Sequence, residues 1–176
     1  MSQPTPTSSQ HKLTMRPATP RDAEFILANL ETLAEAEGRP GAVSSTPHDI
    51  NAALFGERAT AECRIFLNTE HSTGDHTPIG HAWFFERVPT FSGQRVLCLE
   101  DIVIRPEHRS RGFGARAMAL LAALAKERDC HAMLWEVKAG NTAAERFYQR
   151  LGAIHDPSIL SYEIRGDAFH DLASSG

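Results

Sequence analysis

The feature that most narrows what this chain can become is a change of period between residues 96 and 129. VLCLEDIVI (96–104) is apolar at every position except Glu100 and Asp101, as expected of a strand buried on both faces. RPEHRSRGF follows, and then GARAMALLAALAKERD (114–129), whose alanines and leucines give high helix propensity. A strand that passes into a helix in this way commits the chain to layers, with helices laid on a sheet. The joint carries Gly112 and Gly114 among Arg109, Arg111 and Arg116. A helix start offers free N–H groups and the positive end of the helix dipole, and glycine removes the Cβ that would hold an anion away. Arginines add charge and a forked set of donors. The joint therefore reads as a cradle for a phosphate-bearing ligand.

The rest of the chain alternates between the same two periods. Residues 1–12 are Ser, Thr, Pro and Gln without apolar periodicity, which is the composition of a disordered arm. LTMRPAT gives a first strand ending at Pro17. A helix follows over 19–38, capped by Thr19 with Pro20 in its first turn, its face formed by Phe25, Ile26, Leu30 and Leu33 and its end marked by Gly38. TPHDINAALFGE repeats the cap-then-proline signal as a second, shorter helix. AECRIFLN, IGHAWFFERV and VLCLEDIVI are three strands, with HSTGDHTP as polar turn material between the first two. After the alanine-rich helix come a strand in HAMLWEV and a helix in NTAAERFYQRLG, with Asn141 as cap and Gly152 as stop. ILSYEIRG is expected to close the sheet, and the last residues to form a weak helix and flexible tail (171–176). The order β-α-α-β-β-β-α-β-α-β fits a mixed sheet covered on both faces in a single domain over 13–170.

Several classes are set aside at this stage. A formal net charge of -4 does not fit a nucleic-acid binder, which carries a basic face or stripe. No run approaches the roughly 18 apolar residues that span a bilayer, and MSQPTPTSSQHK lacks the apolar centre of an export signal. Cys63, Cys98 and Cys130 lack C-x-x-C spacing, so reduced, buried thiols and a cytoplasmic location are expected. His71, His76 and His81 match no zinc spacing and read as a polar loop, with no metal called for. Trp83 and Trp135 read as core.

The phosphate ligand narrows next. GFGARA matches a dinucleotide fingerprint, with Glu136 at a workable distance for a ribose. But RPEHR intervenes between the strand and the glycine turn, and too little chain follows for a doubly wound sheet. R-S-R-G-F-G (109–114), three residues after Pro106, instead resembles the cofactor signature of the GNAT N-acetyltransferase superfamily. N-x-x-A-x-x-F-Y-x-x-L-G-A, from Asn141 to Ala153, resembles that superfamily's later motif. RPATPRDAEFILANLETLAEAE and LCLEDIVIRPEHRSRGFG are similar to its diamine (spermidine/spermine) N-acetyltransferase branch; residues 39–60 match poorly.

The resemblance implies a mixed central sheet of six to seven strands flanked by about four helices. It also implies an acetyl-CoA-dependent N-acetyltransferase acting by direct attack, and a homodimer. Acetyl-CoA would be held by the strand residues Ile102, Val103 and Ile104, by Arg109, Ser110, Arg111, Gly112, Phe113, Gly114, Ala115 and Arg116, and by Asn141 and Tyr148. Glu100 takes the place of the general base, and Tyr148 that of the acid that protonates the leaving thiolate. Glu37 and Asp101 would lie on the acceptor side with Glu100. The chemistry asks for such groups: an aliphatic ammonium with a pKa of about 10.4 must lose a proton before it attacks. On a regular strand Glu100 and Asp101 point to opposite faces, so only one is expected to reach a cleft.

The acceptor stays open between a diamine, a polyamine and a lysine-like amino acid. PTFSGQR has no carboxylate and HDPSILSY only Asp156, a thin lining for a long polycation. A protein or peptide acetyltransferase, at a lysine or an N-terminus, and a non-catalytic acyl-CoA-binding module are the competing readings.

Overall fold

The computed structural model describes residues 11–70 and 74–176. The chain divides into two compact units, the first running to Asn141 and the second Thr142–Gly176.

The first unit is built on one five-stranded sheet in chain order: β1 (His11–Pro17), β2 (Glu62–Glu70), β3 (His76–Arg87), β4 (Val96–Ile104) and β5 (Ala132–Trp135). Neighbours are antiparallel except β4 and β5, which run parallel and are joined by α3 (Phe113–Glu127). Between β1 and β2 lie α1 (Ala23–Ala36) and α2 (Pro47–Phe55).

Local chemistry sets the entry to both helices. Thr19 precedes a short 3-10 turn, Pro20–Asp22, and its N–H and hydroxyl both donate to Asp22 Oδ2, at 2.7 and 2.9 Å. Asp22 also accepts two bonds from Arg16, at 2.7 and 2.8 Å, which ties the helix entry to β1. Thr46 repeats the device for α2, donating to Asp49 Oδ2 from N–H and hydroxyl at 2.8 and 2.6 Å.

The two helices seal one face of the sheet, packing Ala23, Ile26, Ile50 and Leu54 against Cys63 and Ile65 of β2. The opposite face is covered by α3. Arg128 at its C-terminal end lies 5.7 Å from the centre of the Phe84 ring and bonds to Glu62 and Glu86.

The sheet differs from expectation in one strand. Residues 159–166 (ILSYEIRG), expected to close it, form no strand, so five strands are present among the described residues rather than six or seven. Alternating apolar residues specify a face, but a strand also needs a neighbour for its N–H and C=O groups, and Ile159, Leu160, Tyr162 and Ile164 stay exposed.

The second unit holds α4 (Thr142–Arg150) and α5 (Asp167–Ala173), making five α-helices among the described residues. Helix α5 also takes in part of the expected tail. Of the expected N-terminal arm only His11 and Lys12 lie within the described residues, and they open β1. No helix among the described residues is long and apolar enough to cross a membrane.

Candidate active site

The centre of the first unit's site is an irregularity in β4. Phe84 of β3 is paired with Leu99, but Trp83 is paired with Asp101, so Glu100 is an extra residue on β4. Such a bulge shifts the alternation by one position. Glu100 and Asp101, expected on opposite faces, therefore line one cavity of about 400 Å³. Trp83 and Phe85 of β3 form its aromatic wall, Leu30, Ile50 and Ala53 its apolar wall, and Ser45 and Asp49 its polar rim. Trp83, expected in the core, serves two environments, since it also packs against the α1–α2 cluster.

The electrostatics of the cavity centre on Asp101. It is half-buried, and its carboxylate has no hydrogen bond or ion pair with any described residue. Burial first, and then the negative charges of Glu100 and Glu37, push its carboxyl up to about 6. Glu37, the residue after α1, is near enough for its charge to act on Asp101, but it is not among the residues that line the cavity. Its backbone carbonyl accepts a bond from Lys138 Nζ at 2.6 Å. Asp49 is the carboxylate that the sequence did not reveal. It lies in the poorly matching 39–60 region, where it also completes the capping box of α2. The acidic lining is richer than the sequence indicated.

The second part of the site is the far end of β4. Strand β5 pairs only with Val96–Leu99, so from Glu100 onward β4 has no strand partner on that side among the described residues. Ile102, Val103 and Ile104 lie on this stretch, Val103 buried and the two isoleucines half-buried. The chain then makes a 3-10 turn, Pro106–His108, and enters the arginine-glycine loop. Ser110 and Gly112 both take positive φ, 61° and 74°, and Gly112 caps α3 in the left-handed conformation. The first bond of that helix end runs from Arg116 N–H to Gly112 C=O at 3.2 Å. The N–H groups of Phe113, Gly114 and Ala115 stand ahead of it, as the unpaired donors of a helix start. Phe113 is buried and anchors the turn, and Gly114 and Ala115 keep it free of bulk. Nothing comes closer than 4.0 Å to the position a Cβ on Gly112 would take, where the nearest atom is an Arg116 nitrogen. The turn therefore offers an open, donor-lined concavity of the kind an anion fits.

The three arginines divide their tasks. Arg109 Nε donates to Ile104 C=O at 2.8 Å, and Arg116 donates to Arg111 C=O at 2.8 Å while its guanidinium lies 4.7 Å from the Phe113 ring centre. Both brace the loop. Arg111 is exposed.

Asn141 ends the first unit, its N–H donating to Lys138 C=O at 3.0 Å. In the second unit Tyr148 lies on α4 beside Phe147, ring centres 5.0 Å apart and edge to face. Burial raises its phenol above the ordinary tyrosine value. Gly152, with φ 86°, stops the helix as expected.

Of the three histidines read as a loop, His71 lies outside the described residues. His76 opens β3, and His81 is fully buried within it. His81 Nδ1 sits 3.1 Å from Asn29 Nδ2, and burial lowers the imidazole to about 4, so it is neutral at physiological pH.

Residues 29–153 match the acetyltransferase (GNAT) family. The chain belongs to that family. Among its relatives, the thialysine N-epsilon-acetyltransferase of Sus scrofa is 26% identical over 164 residues, covering 90% of this chain and 96% of that protein. The L-ornithine N5-acetyltransferase of Arabidopsis thaliana is 24% identical, covering 95% and 90%. Among solved structures, an integron cassette protein from the mobile metagenome of V. cholerae superposes with a TM-score of 0.71 at 19% identity, covering 93% of this chain and 98% of its own. A possible acetyltransferase from Clostridium difficile 630 gives 0.71 at 17%, covering 88% and 99%. The GNAT fold is thus common to chains with little sequence in common.

Proposed function

We propose that this GNAT protein moves the acetyl group of acetyl-CoA to the terminal primary amine of a small, cationic acceptor, in the diamine and lysine-analogue range. The observation that carries the reading is the cavity in which Asp49, Glu100 and Asp101 face Trp83 and Phe85. Carboxylates offset the charge of an ammonium group, and the aromatic and apolar walls take methylene chain. The two relatives act, by their names, at the Nε of thialysine and the N5 of ornithine, both terminal side-chain amines. The cavity has room for an acceptor of that length.

Acetyl-CoA would supply the activated thioester. The N–H groups of Phe113, Gly114 and Ala115, with Arg111, would hold its pyrophosphate. The free edge of β4 at Ile102–Ile104 would take hydrogen bonds from its pantetheine arm. Tyr148, whose phenol is protonated at neutral pH and is raised further by burial, would be the proton donor of the reaction, and Asn141 a further cofactor contact.

Purified protein with acetyl-CoA and a panel of thialysine, lysine, ornithine, putrescine, spermidine and a basic peptide tests the reading by thiol release. Turnover on the small amines is expected. Turnover confined to the peptide would transfer the protein to the peptide-acetylating class. Gly112→Glu, which puts an anion and a Cβ into the turn, is expected to weaken acetyl-CoA affinity more than tenfold by calorimetry. Unchanged affinity would remove the turn from the cofactor site.

A further inference from the structure

We propose that Asp101, rather than Glu100, takes the proton from the acceptor ammonium. This assignment rests on the acetyl-transfer reading above. Three observations on the backbone and the cavity support it. The bulge at Glu100 places the residue after it in register with Trp83, so that Asp101 sits against the cavity's aromatic wall. Asp101 is half-buried, whereas Glu100 is exposed to solvent. And the Asp101 carboxylate has no hydrogen-bond or ion-pair partner among the described residues, while elsewhere in the first unit Asp22, Glu62 and Glu86 are all engaged by arginine. A half-buried carboxylate left without a partner at the wall of a cavity is placed to receive a proton or a cation.

The surroundings of Asp101 tune it in the same direction. Glu100 on β4 and Glu37 after α1 are the charges that raise its proton affinity. Asp49 on α2 lines the same cavity, held as a capping carboxylate by Thr46. Cys63 on β2 has its thiol pushed up to about 12 by burial, with the charges of Asp22 and then Asp101 adding to it, so it stays neutral. His81, on β3 two residues from Trp83, is also neutral. The Lys138 ammonium is engaged with the Glu37 carbonyl. A carboxylate at about 6 holds a proton roughly a hundredfold more tightly than one at its ordinary value, which brings it closer to the amine it must deprotonate. It is still mostly ionised at pH 7.

In the step itself, the acceptor R–NH3+ gives one proton to an Asp101 oxygen and becomes R–NH2. The nitrogen lone pair forms the C–N bond as the thioester C–S bond breaks, and the second proton leaving nitrogen makes good the one that the departing thiolate takes up. Overall R–NH3+ and the acetyl thioester give R–NH–acetyl, free thiol and one proton, which Asp101 returns to solvent through the cavity mouth.

The pH dependence of kcat on the best amine of the panel separates the two carboxylates. The wild-type enzyme is expected to lose activity as pH falls through about 6. Asp101→Asn is expected to lower kcat about a hundredfold or more and to abolish that acid limb, with the melting temperature checked for an intact fold. Glu100→Gln and Glu37→Gln are expected to keep the limb and move it to lower pH, because each removes a negative charge that raises Asp101. Loss of the limb in Glu100→Gln with its retention in Asp101→Asn would overturn the assignment. If Asp101→Asn does not fold, the downward movement in Glu37→Gln supports it and an unmoved limb overturns it. Failure of wild-type protein to acetylate any amine would overturn the acetyl-transfer reading instead.

Discussion

Two glycines show how a missing atom shapes the site. At Gly80, on β3, a Cβ would stand 2.0 Å from the Val103 carbonyl oxygen and 3.1 Å from Ile104 Cα, both backbone atoms that no rotamer change can clear. Gly80 pairs with Ile104, at the end of β4 that precedes the arginine-glycine loop. Gly80→Ala should therefore push β3 and β4 apart, costing about 3 kcal/mol in a urea titration. It should weaken acetyl-CoA as well, because the displaced backbone is the edge assigned to the cofactor. Gly112 is different: it has room for a Cβ, but its φ of 74° disfavours any side chain. Tyr148→Phe completes the residue scale. It removes one oxygen and leaves the ring, so kcat is expected to fall at least tenfold with acetyl-CoA affinity nearly unchanged, and a wild-type rate would take the phenol out of the reaction.

Among the elements, helix entries carry much of the stability that responds to pH. Asp22 holds the start of α1 to β1, and the bonds from Arg16 bring its carboxyl down to about 2. A lowered value means that the stabilisation is complete above the ordinary carboxylate range, near pH 4, and is lost as pH falls toward 2. The difference corresponds to about 2 kcal/mol. Asp22→Asn should lower the melting temperature at pH 7 and flatten its fall between pH 4 and 2. The same entries were legible in the sequence because Thr19-Pro20 and Thr46-Pro47 state a cap in adjacent letters. The glycine turn before α3 was legible for the same reason. The bulge was not. VLCLEDIVI is apolar on both faces, so its alternation holds no record of register, and the shift at Glu100 appears only against β3. Asp49 was hidden in another way, since a capping carboxylate and a cavity carboxylate look alike until α2 is packed. Residues 159–166 show the converse error, a strand pattern with no partner to pair with.

At the scale of the whole molecule, burial is concentrated in the first unit. Every fully buried large side chain among the described residues precedes Thr142, whereas in the second unit Ile154, Leu160 and Tyr162 are exposed by 94%, 73% and 88%. Segments with so little buried surface open at low cost. Brief protease treatment is therefore expected to cut first between Ala153 and Gly166, read by mass spectrometry, before any cleavage within the sheet. The formal charge of -4 spread over the chain coexists with a cationic turn around Arg109–Arg116, so an anionic cofactor is received locally by a molecule that is acidic overall.

The extra residue in β4 has a consequence for how such a site can be inherited. What sets Asp101, and not Glu100, opposite Trp83 is the bulge at position 100, whatever side chain that position carries. A descendant chain could trade the glutamate at 100 for a neutral residue and still present its aspartate, at a somewhat altered working pH. A chain that lost the position altogether would keep an aspartate after Leu99, opposite Trp83, but would lose the bulge and with it the second carboxylate of the pair. For this strand, the residue count decides whether one carboxylate or two meet on that side.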